Sequence, residues 1–270
     1  MTFSLGARAA SAGYRLAAFD SIGSTNVEAL SRARDGEQGP LWFVTSEQTA
    51  GRGRRHRPWI APRGNLACSI LEVIDASPAV AATLGFAAGL ALEAALQKAS
   101  MEASLRSAGS DEMKFSLKWP NDVLAGQKKL AGILLEAEVV PGDRLAVVVG
   151  IGTNVVAAPE GTPTPATSLR AIGVDVGAKE LFSTLSDSWT EFHALWDQGR
   201  GFGEIRRLWL ERAVGLGQPV AVHTGGATVA GTFDTIDDAG CMIVRTSSGD
   251  LIPISAGDVY FGSAASAGAA

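Results

Sequence analysis

The stretch KLAGILLEAEVVPGDRLAVVVGI, residues 129–151, contains two aliphatic runs separated by a single turn signal. Lys129–Val139 and Arg144–Ile151 read as strands, and Val140-Pro141-Gly142-Asp143 has the residue preferences of a tight turn. Strands joined this closely pair antiparallel, because a parallel pair needs a long crossover. The spacing therefore predicts an antiparallel hairpin. Lys114–Trp119 is the strand before it.

Upstream, Tyr14–Phe19, Leu41–Ser46 and Leu66–Ile74 read as further strands. Thr25 and Glu28 have capping-box spacing, which predicts a helix from about Asn26 to Arg34 that stops at Asp35-Gly36. Ser77-Pro78 supplies a cap and a first-turn proline for a helix reaching about Ala99. That helix contains the uncharged run between Asp75 and Glu93, which is short for a membrane span and rich in Ala and Gly, so it reads as a buried helix. Ser104–Glu112 is polar and is expected to form a loop.

Downstream, a Pro/Thr-rich loop at Ala157–Thr167 precedes two helices, about Ala178–Gln198 and Phe202–Arg212. After Val214-Gly215 the texture becomes short strands with Gly- and Asp-rich turns, as in a small barrel. The expected organisation is an α/β domain over residues 1–212, a β-barrel over 213–262 and a disordered tail over 263–270.

Hydrophobic residues make up 46% and charged residues 19%, which excludes a disordered chain. The net charge of −5 gives no general attraction to nucleic acid, and from Ala213 onward there are five Asp against one Arg. Cys68 and Cys241 lie far apart and the three histidines are scattered, so neither a disulfide framework nor a zinc site is expected.

Against this acidic background, Gly51-Arg52-Gly53-Arg54-Arg55-His56-Arg57 stands out, inside an aperiodic loop from Glu47 to Asn65. Guanidinium groups bind carboxylate and phosphate through paired hydrogen bonds, and glycine lets backbone N–H groups approach an anion. A solvated basic loop or an arm on nucleic acid is the alternative. Its position between two apolar strands favours a cover over a small anionic ligand.

No Walker phosphate loop is present. Gly150-Ile151-Gly152-Thr153-Asn154-Val155 lacks the third glycine of a dinucleotide fingerprint and reads as a close-packed turn. Asn121-Asp122 reads alone as a turn, and Lys129 alone as a solvated charge at a strand start. Together, Asn121, Asp122 and Lys129 fall near one edge of the sheet.

Taken in order, Ser24-Thr25-Asn26, Gln48, Gly51–Arg55 with Trp59, Lys118-Trp119-Pro120-Asn121-Asp122, Lys129–Gly132 and Gly150–Asn154 resemble the motifs of biotin–protein ligases. With the small C-terminal barrel, the resemblance covers nearly the whole chain. It implies a mixed or antiparallel sheet flanked by helices, with an SH3-like barrel after it. The implied activity converts biotin and ATP, with Mg²⁺, into biotinyl-5′-AMP. The biotinyl group then passes to a lysine of a biotin carboxyl carrier domain of a carboxylase.

By the same resemblance, Ser24, Thr25, Asn26 and Gln48 would meet biotin, the first two and Gln48 at its ureido ring, and Trp59 would pack beside it. Arg52, Gly53 and Arg54 would line the biotin carboxylate and the phosphate, with Arg55 in support. Lys129 would bridge carboxylate and α-phosphate. Asn121, Asp122 and Asn154 would lie near the nucleotide, with Asp122 also a candidate to orient the acceptor amine.

No metal-ligand set in the chain is implied. A cytoplasmic enzyme is expected, with no DNA or membrane partner and a homodimer left open. Two departures stand out: His56 occupies a position where many relatives have Gly, and no DNA-binding helical domain precedes the first strand. The closest rival is a lipoate–protein ligase, but lipoate lacks the ureido group that Ser24, Thr25 and Gln48 suit. A nucleic-acid-binding module is the rival from another class.

Overall fold

The computed structural model describes residues 2–107, 113–162 and 164–261, with the side chains of His56 and Ser107 outside the description. The main sheet holds β1 (Arg15–Phe19), β2 (Leu41–Thr45), β3 (Leu66–Ile74), β4 (Phe115–Lys118), β5 (Asp122–Ala125), β6 (Lys128–Val140) and β7 (Arg144–Thr153). Their spatial order is β1-β2-β3-β7-β6-β5-β4.

β6 and β7 pair antiparallel from Ala131↔Thr153 to Val140↔Arg144, the hairpin that the turn chemistry predicts. β1 and β2 are parallel, and the crossover that this geometry requires is α2 (Thr25–Arg34). The other neighbours in the sheet are antiparallel.

Side chains alternate across the sheet and sort into two layers. Leu145, Val147, Val149 and Ile151 of β7 face the larger core. That core also holds the buried helix α4 (Leu84–Ser107) and α5 (Ala178–Trp196). Ala146 and Val148 face the opposite layer, with Ala29, Leu30 and Ala33 of α2. Burial on both faces explains why β7 reads as a continuous apolar run.

The apolar helix that passes for a membrane span by length is mostly buried. Alanines at 87, 88, 91 and 95 are fully enclosed, and such small side chains let neighbouring elements approach closely. Aromatic edges lock α5 to the sheet: Trp42 of β2 meets Phe182 at 5.5 Å and Trp189 at 5.9 Å, both T-shaped. Two short helices, α1 (Ala7–Ser11) and α3 (Pro78–Ala82), complete the periphery, with α6 (Phe202–Glu211) leading out.

The second sheet contains β8 (Pro219–Thr224), β9 (Ala227–Ile236), β10 (Met242–Arg245), β11 (Leu251–Ile254) and β12 (Asp258–Phe261). Its order is β11-β10-β9-β8-β12, all antiparallel, consistent with an SH3-like barrel.

Several expectations need correction. The cap of α2 is Ser24, whose hydroxyl accepts from Val27 N; Thr25 is already helical because its own hydroxyl is engaged elsewhere. α4 runs through Ser104 to Ser107, since the apolar stripe continues past Ala99 at Ala103. Residues 108–112 of the expected loop, and the expected tail at 263–270, lie outside the described residues. Two strands are additional: β5, hidden inside an apparent turn, and β12, which opens on the turn-type pair Gly257-Asp258.

Between α2 and β2, one carboxylate organises the loop. Glu37 accepts from Arg15 Nη2 (2.5 Å) and Nη1 (3.0 Å), and from the backbone N–H groups of Gln38 (2.8 Å) and Gly39 (2.9 Å). The Arg15 hydrogen bonds lead in holding its carboxyl at about 2, against an ordinary 4.5. A depressed folded-state pKa contributes stability above pH 4.5 and loses it as pH falls towards 2. Glu37→Gln should lower stability at pH 7 by about 0.5–1 kcal/mol, the scale of a solvent-screened pair. Urea unfolding at stepped pH should show wild type and variant converging between those two values.

Candidate active site

Gly132, Gly150 and Gly152 lie on β6 and β7, with Gly132 paired directly to Gly152. Glycine is required here by close approach. A Cβ on Gly150 would overlap the Asn26 amide, and one on Gly152 would overlap the Trp59 ring. The Gly-Ile-Gly run is therefore the end of a strand, not the turn its composition suggests. It forms the floor of a cavity of about 360 Å³ on the α2 side of the sheet.

One end of this cavity is polar. Thr25 donates to Gln48 Oε1 from its backbone N (2.8 Å) and its hydroxyl (3.1 Å). The Ser69 hydroxyl on β3 lies 2.7 Å from Thr25 Oγ1 and 2.6 Å from Asn26 Oδ1. Asn26 Nδ2 donates to Glu136 Oε2 (2.8 Å). The α2 N-terminus is thereby pinned to the sheet by buried Thr25, Asn26 and Ser69 and by half-buried Gln48 and Glu136, a rigid arrangement for reading a polar ligand.

The other end is cationic, and Arg52, Arg54 and Lys129 each have a protein acceptor. Arg52 Nη2 donates to Glu136 Oε1 (3.1 Å), and Arg54 Nη1 to Asn121 Oδ1 (3.0 Å). Lys129 Nζ lies 2.6 Å from Asp122 Oδ1 and 5.6 Å from the centre of the Trp59 ring. Asn121 is held in turn by Ile133 O, which its amide reaches at 2.8 Å.

Burial pulls the Arg54 guanidinium below its ordinary value, and neighbouring Arg55 adds repulsion. Burial likewise pulls down Lys118, while Asp122 opposes the shift and Lys129 adds to it. Cations paid for in this way gain most when an anion arrives.

The arginine loop bends back on itself, with Gly53 N donating to Arg57 O (2.8 Å). Arg55 adopts the left-handed conformation (φ 55°). Neighbouring side chains diverge: Arg54 enters the cavity, whereas Arg55 leaves it for Asp258 Oδ2 of β12 (2.7 Å), joined there by Arg57 (2.8 Å).

Of the residues singled out from the sequence, Ser24, Thr25, Asn26, Gln48, Arg52, Gly53, Arg54, Trp59, Asn121, Asp122, Lys129 and Asn154 all line the cavity. Arg55 does not, because the turn carries it to the barrel. Asn121 occupies the turn as read, but Asp122 opens β5, and Lys129 is a paired, half-buried charge, not a solvated one. Asn154 donates to Thr167 O (3.1 Å), while its Oδ1 is buried without a partner. The side chain of His56, the residue that stands where many relatives have Gly, lies outside the described residues.

A model of the biotin/lipoate A/B protein ligase family matches residues 18–154, and one of the biotin protein ligase C-terminal domain matches residues 215–262. A biotin–acetyl-CoA-carboxylase ligase of Paracoccus denitrificans is 39% identical over 245 residues, covering 88% of this chain and 97% of that protein. This chain belongs to the biotin protein ligase family. A second ligase of that name, from Mycobacterium tuberculosis, is 34% identical and covers 88% of this chain and 85% of its own length. Among solved structures, the biotin protein ligase of Aquifex aeolicus in complex with biotin and ATP superposes with a TM-score of 0.72 at 25% identity. It covers 92% of this chain and 98% of its own.

Sequence reasoning passed over four contributors. Lys118 was visible only as part of its motif, and Ser69 and Glu136 looked like ordinary strand residues. Asp258 comes from the small C-terminal barrel, of which Gly257–Tyr260 forms part of the cavity wall. No local signal marks these residues, because each reaches the site across the fold.

The glycine floor gives a sharp test. Gly152→Ala must displace the Trp59 ring and with it the loop backbone, since Trp59 N donates to Gly51 O (2.9 Å). The variant should stay folded, because the glycine lies at a strand end, while biotin affinity by calorimetry falls at least tenfold, about 1.4 kcal/mol.

Proposed function

We propose that the cavity activates biotin as biotinyl-5′-AMP at the expense of ATP, and then delivers the biotinyl group to a lysine of a biotin carboxyl carrier domain. The observation that carries this reading is the convergence of a rigid polar end (Thr25, Gln48) and a cationic end (Arg52, Arg54, Lys118, Lys129) on one cavity. Biotin has the matching ends: a ureido ring that exchanges hydrogen bonds, and a carboxylate. A lipoate dithiolane would leave the polar end unanswered, a loss that such sites penalise strongly.

In the first step a biotin carboxylate oxygen attacks the α-phosphorus of ATP. The new O–P bond forms as the bond to the bridging oxygen breaks, and diphosphate leaves. Two anions must meet, so the role of Arg52, Arg54 and Lys129 is to supply positive charge in place before reaction. Gly53, beside them, leaves room for close approach, and Trp59 covers the ligand. In the second step the acceptor amine attacks the anhydride carbonyl, AMP leaves, and the amine gives up its proton. Asp122, 2.6 Å from Lys129, is suited to orient that amine.

Asn121 and Asn154, beside the cations, suit contacts to the nucleotide. Arg55 would act indirectly, by tying the loop to the barrel. The carboxylates at the cavity are Asp122 and Asp258, each already paired with a cation, and no group of three or more metal-binding side chains occurs among the described residues. Mg²⁺ would therefore arrive on the ATP phosphates, where it neutralises charge.

We also divide the chain between residues 212 and 213, and assign it to the cytoplasm, acting on protein and not on DNA or membrane. Burial of the long apolar helix supports that assignment.

The decisive experiment incubates the purified chain with biotin, Mg-ATP and a carrier domain, with a parallel reaction on lipoate. Intact mass should show one biotinyl added to the carrier and no lipoyl; lipoylation in preference to biotinylation would overturn the reading. Lys129→Ala should fold normally but form biotinyl-AMP about 10²–10³ times more slowly in a quenched-flow assay.

A further inference from the structure

The barrel reaches the catalytic edge of the main sheet through one indole. Trp119 is fully buried at the end of β4, and its Nε1 donates to Gly240 O at 3.1 Å across 121 positions of sequence. The residues flanking it are the ones that meet the cations: Lys118 lines the cavity, Asn121 accepts from Arg54, and Asp122 pairs with Lys129. Upstream of the indole, Leu117 N donates to Arg212 O and Leu117 O accepts from Val214 N, both at 2.8 Å. The segment 117–122 is thus held between β6 on one side and the barrel with its connection on the other.

The Gly240 carbonyl is itself presented by a built turn. Asp237 Oδ1 accepts from Ala239 N (2.9 Å) and Cys241 N (2.8 Å), and Gly240 adopts φ 81°. The turn is seated on the catalytic domain: Arg206 of α6 donates to Ile236 O (3.2 Å) and pairs with Asp238 at 2.6 Å. On the other side, Gly240 packs so closely on Phe86 of α4 that a Cβ would crowd that ring.

We propose that Trp119 is a positioning residue for the adenylation step, through which the barrel turn Asp237–Cys241 sets Asn121 against Arg54 and Asp122 against Lys129. Trp119 lines the cavity beside Lys118, but its positioning role is carried by its N–H, which is engaged by Gly240 O. Its hydrogen bond fixes the strand end from which the two polar side chains project, and displacements of about 1 Å in such supports lower rate steeply. The polar end of the cavity hangs on α2, β3 and Gln48, so contacts to the ureido ring do not depend on this bond. The inference rests on the proposed biotin activation.

Trp119→Phe keeps a buried aromatic ring and removes the N–H alone, leaving Gly240 O without its donor. The expected result is a fall in kcat for biotinyl-AMP formation of about tenfold, with KM for biotin within about twofold. Asp237→Ala, remote from the cavity, loosens the same carbonyl from the other side and should give the same split. Asp237→Asn, which retains an accepting oxygen, should restore turnover. Because both changes cut one relay, the double variant Trp119→Phe/Asp237→Ala should be no slower than the worse single.

A purely structural role would lower Tm while the folded fraction turned over normally, and that outcome overturns the proposal. So do additive losses in the double variant, or a rise in biotin KM with kcat kept. Should Trp119→Phe fail to fold, the Asp237 pair decides. Wild-type chain that forms no biotinyl-AMP defeats the function itself; active wild type with unimpaired variants defeats only the relay.

Discussion

Lys118, Lys129, Arg52 and Arg54 reach one cavity wall, and burial of Arg54 and Lys118 removes water that would screen them from neighbouring cations. Such a cluster persists only if opposing groups are built in. Glu136 on β6 answers Arg52, Asn121 in the β4–β5 turn answers Arg54, and Asp122 on β5 answers Lys129. Asp258 on the barrel pairs with Arg55, which leaves the cavity, and with Arg57, which lines it. Three of these acceptors come from the same half of the main sheet, and the fourth from the second sheet. The topology is what brings them around one loop.

That compensation also shapes what the site can do. Every loop cation is already engaged, so an arriving carboxylate or phosphate competes for donors that are oriented, without recruiting floppy side chains from solvent. Guanidinium suits this exchange, since a fork with five donors can keep one partner while gaining another. Ordering is provided ahead of the reaction, which is where electrostatic catalysis derives most of its effect.

Opposite the cations, the sheet surface is left bare by three glycines on paired strands. Removing side chains there lets Asn26 and Trp59 lie directly against the backbone, and so brings α2 and the arginine loop to the same depth. Elsewhere on the same strands, Val147, Val149 and Ile151 fill the opposite core. One strand therefore serves as packing on one face and as a binding floor on the other, a consequence of the twofold alternation of side chains.

The local signals in the chain determined most of the scaffold. The β6–β7 hairpin follows from Pro141-Gly142 between aliphatic runs, α2 and the start of α3 from their cap signals (the single helix expected from there is α3 and α4 in succession), and the anionic preference of the site from the arginine loop itself. Those features act over a few residues, so a pattern of neighbours suffices to read them. β5 and β12 were not read as strands because each opens on residues with turn preferences, Asn121-Asp122 and Gly257-Asp258. The glycine run was misread because composition alone does not separate a turn from a strand whose missing Cβ atoms make room for a ring. Only the tertiary structure decided that Arg55 turns away to Asp258 while Arg54 enters the cavity, and that Ser69, Glu136 and Lys118 belong to the site. Each of those outcomes depends on contacts across tens to hundreds of residues, where geometry and electrostatics act on groups that the sequence keeps apart.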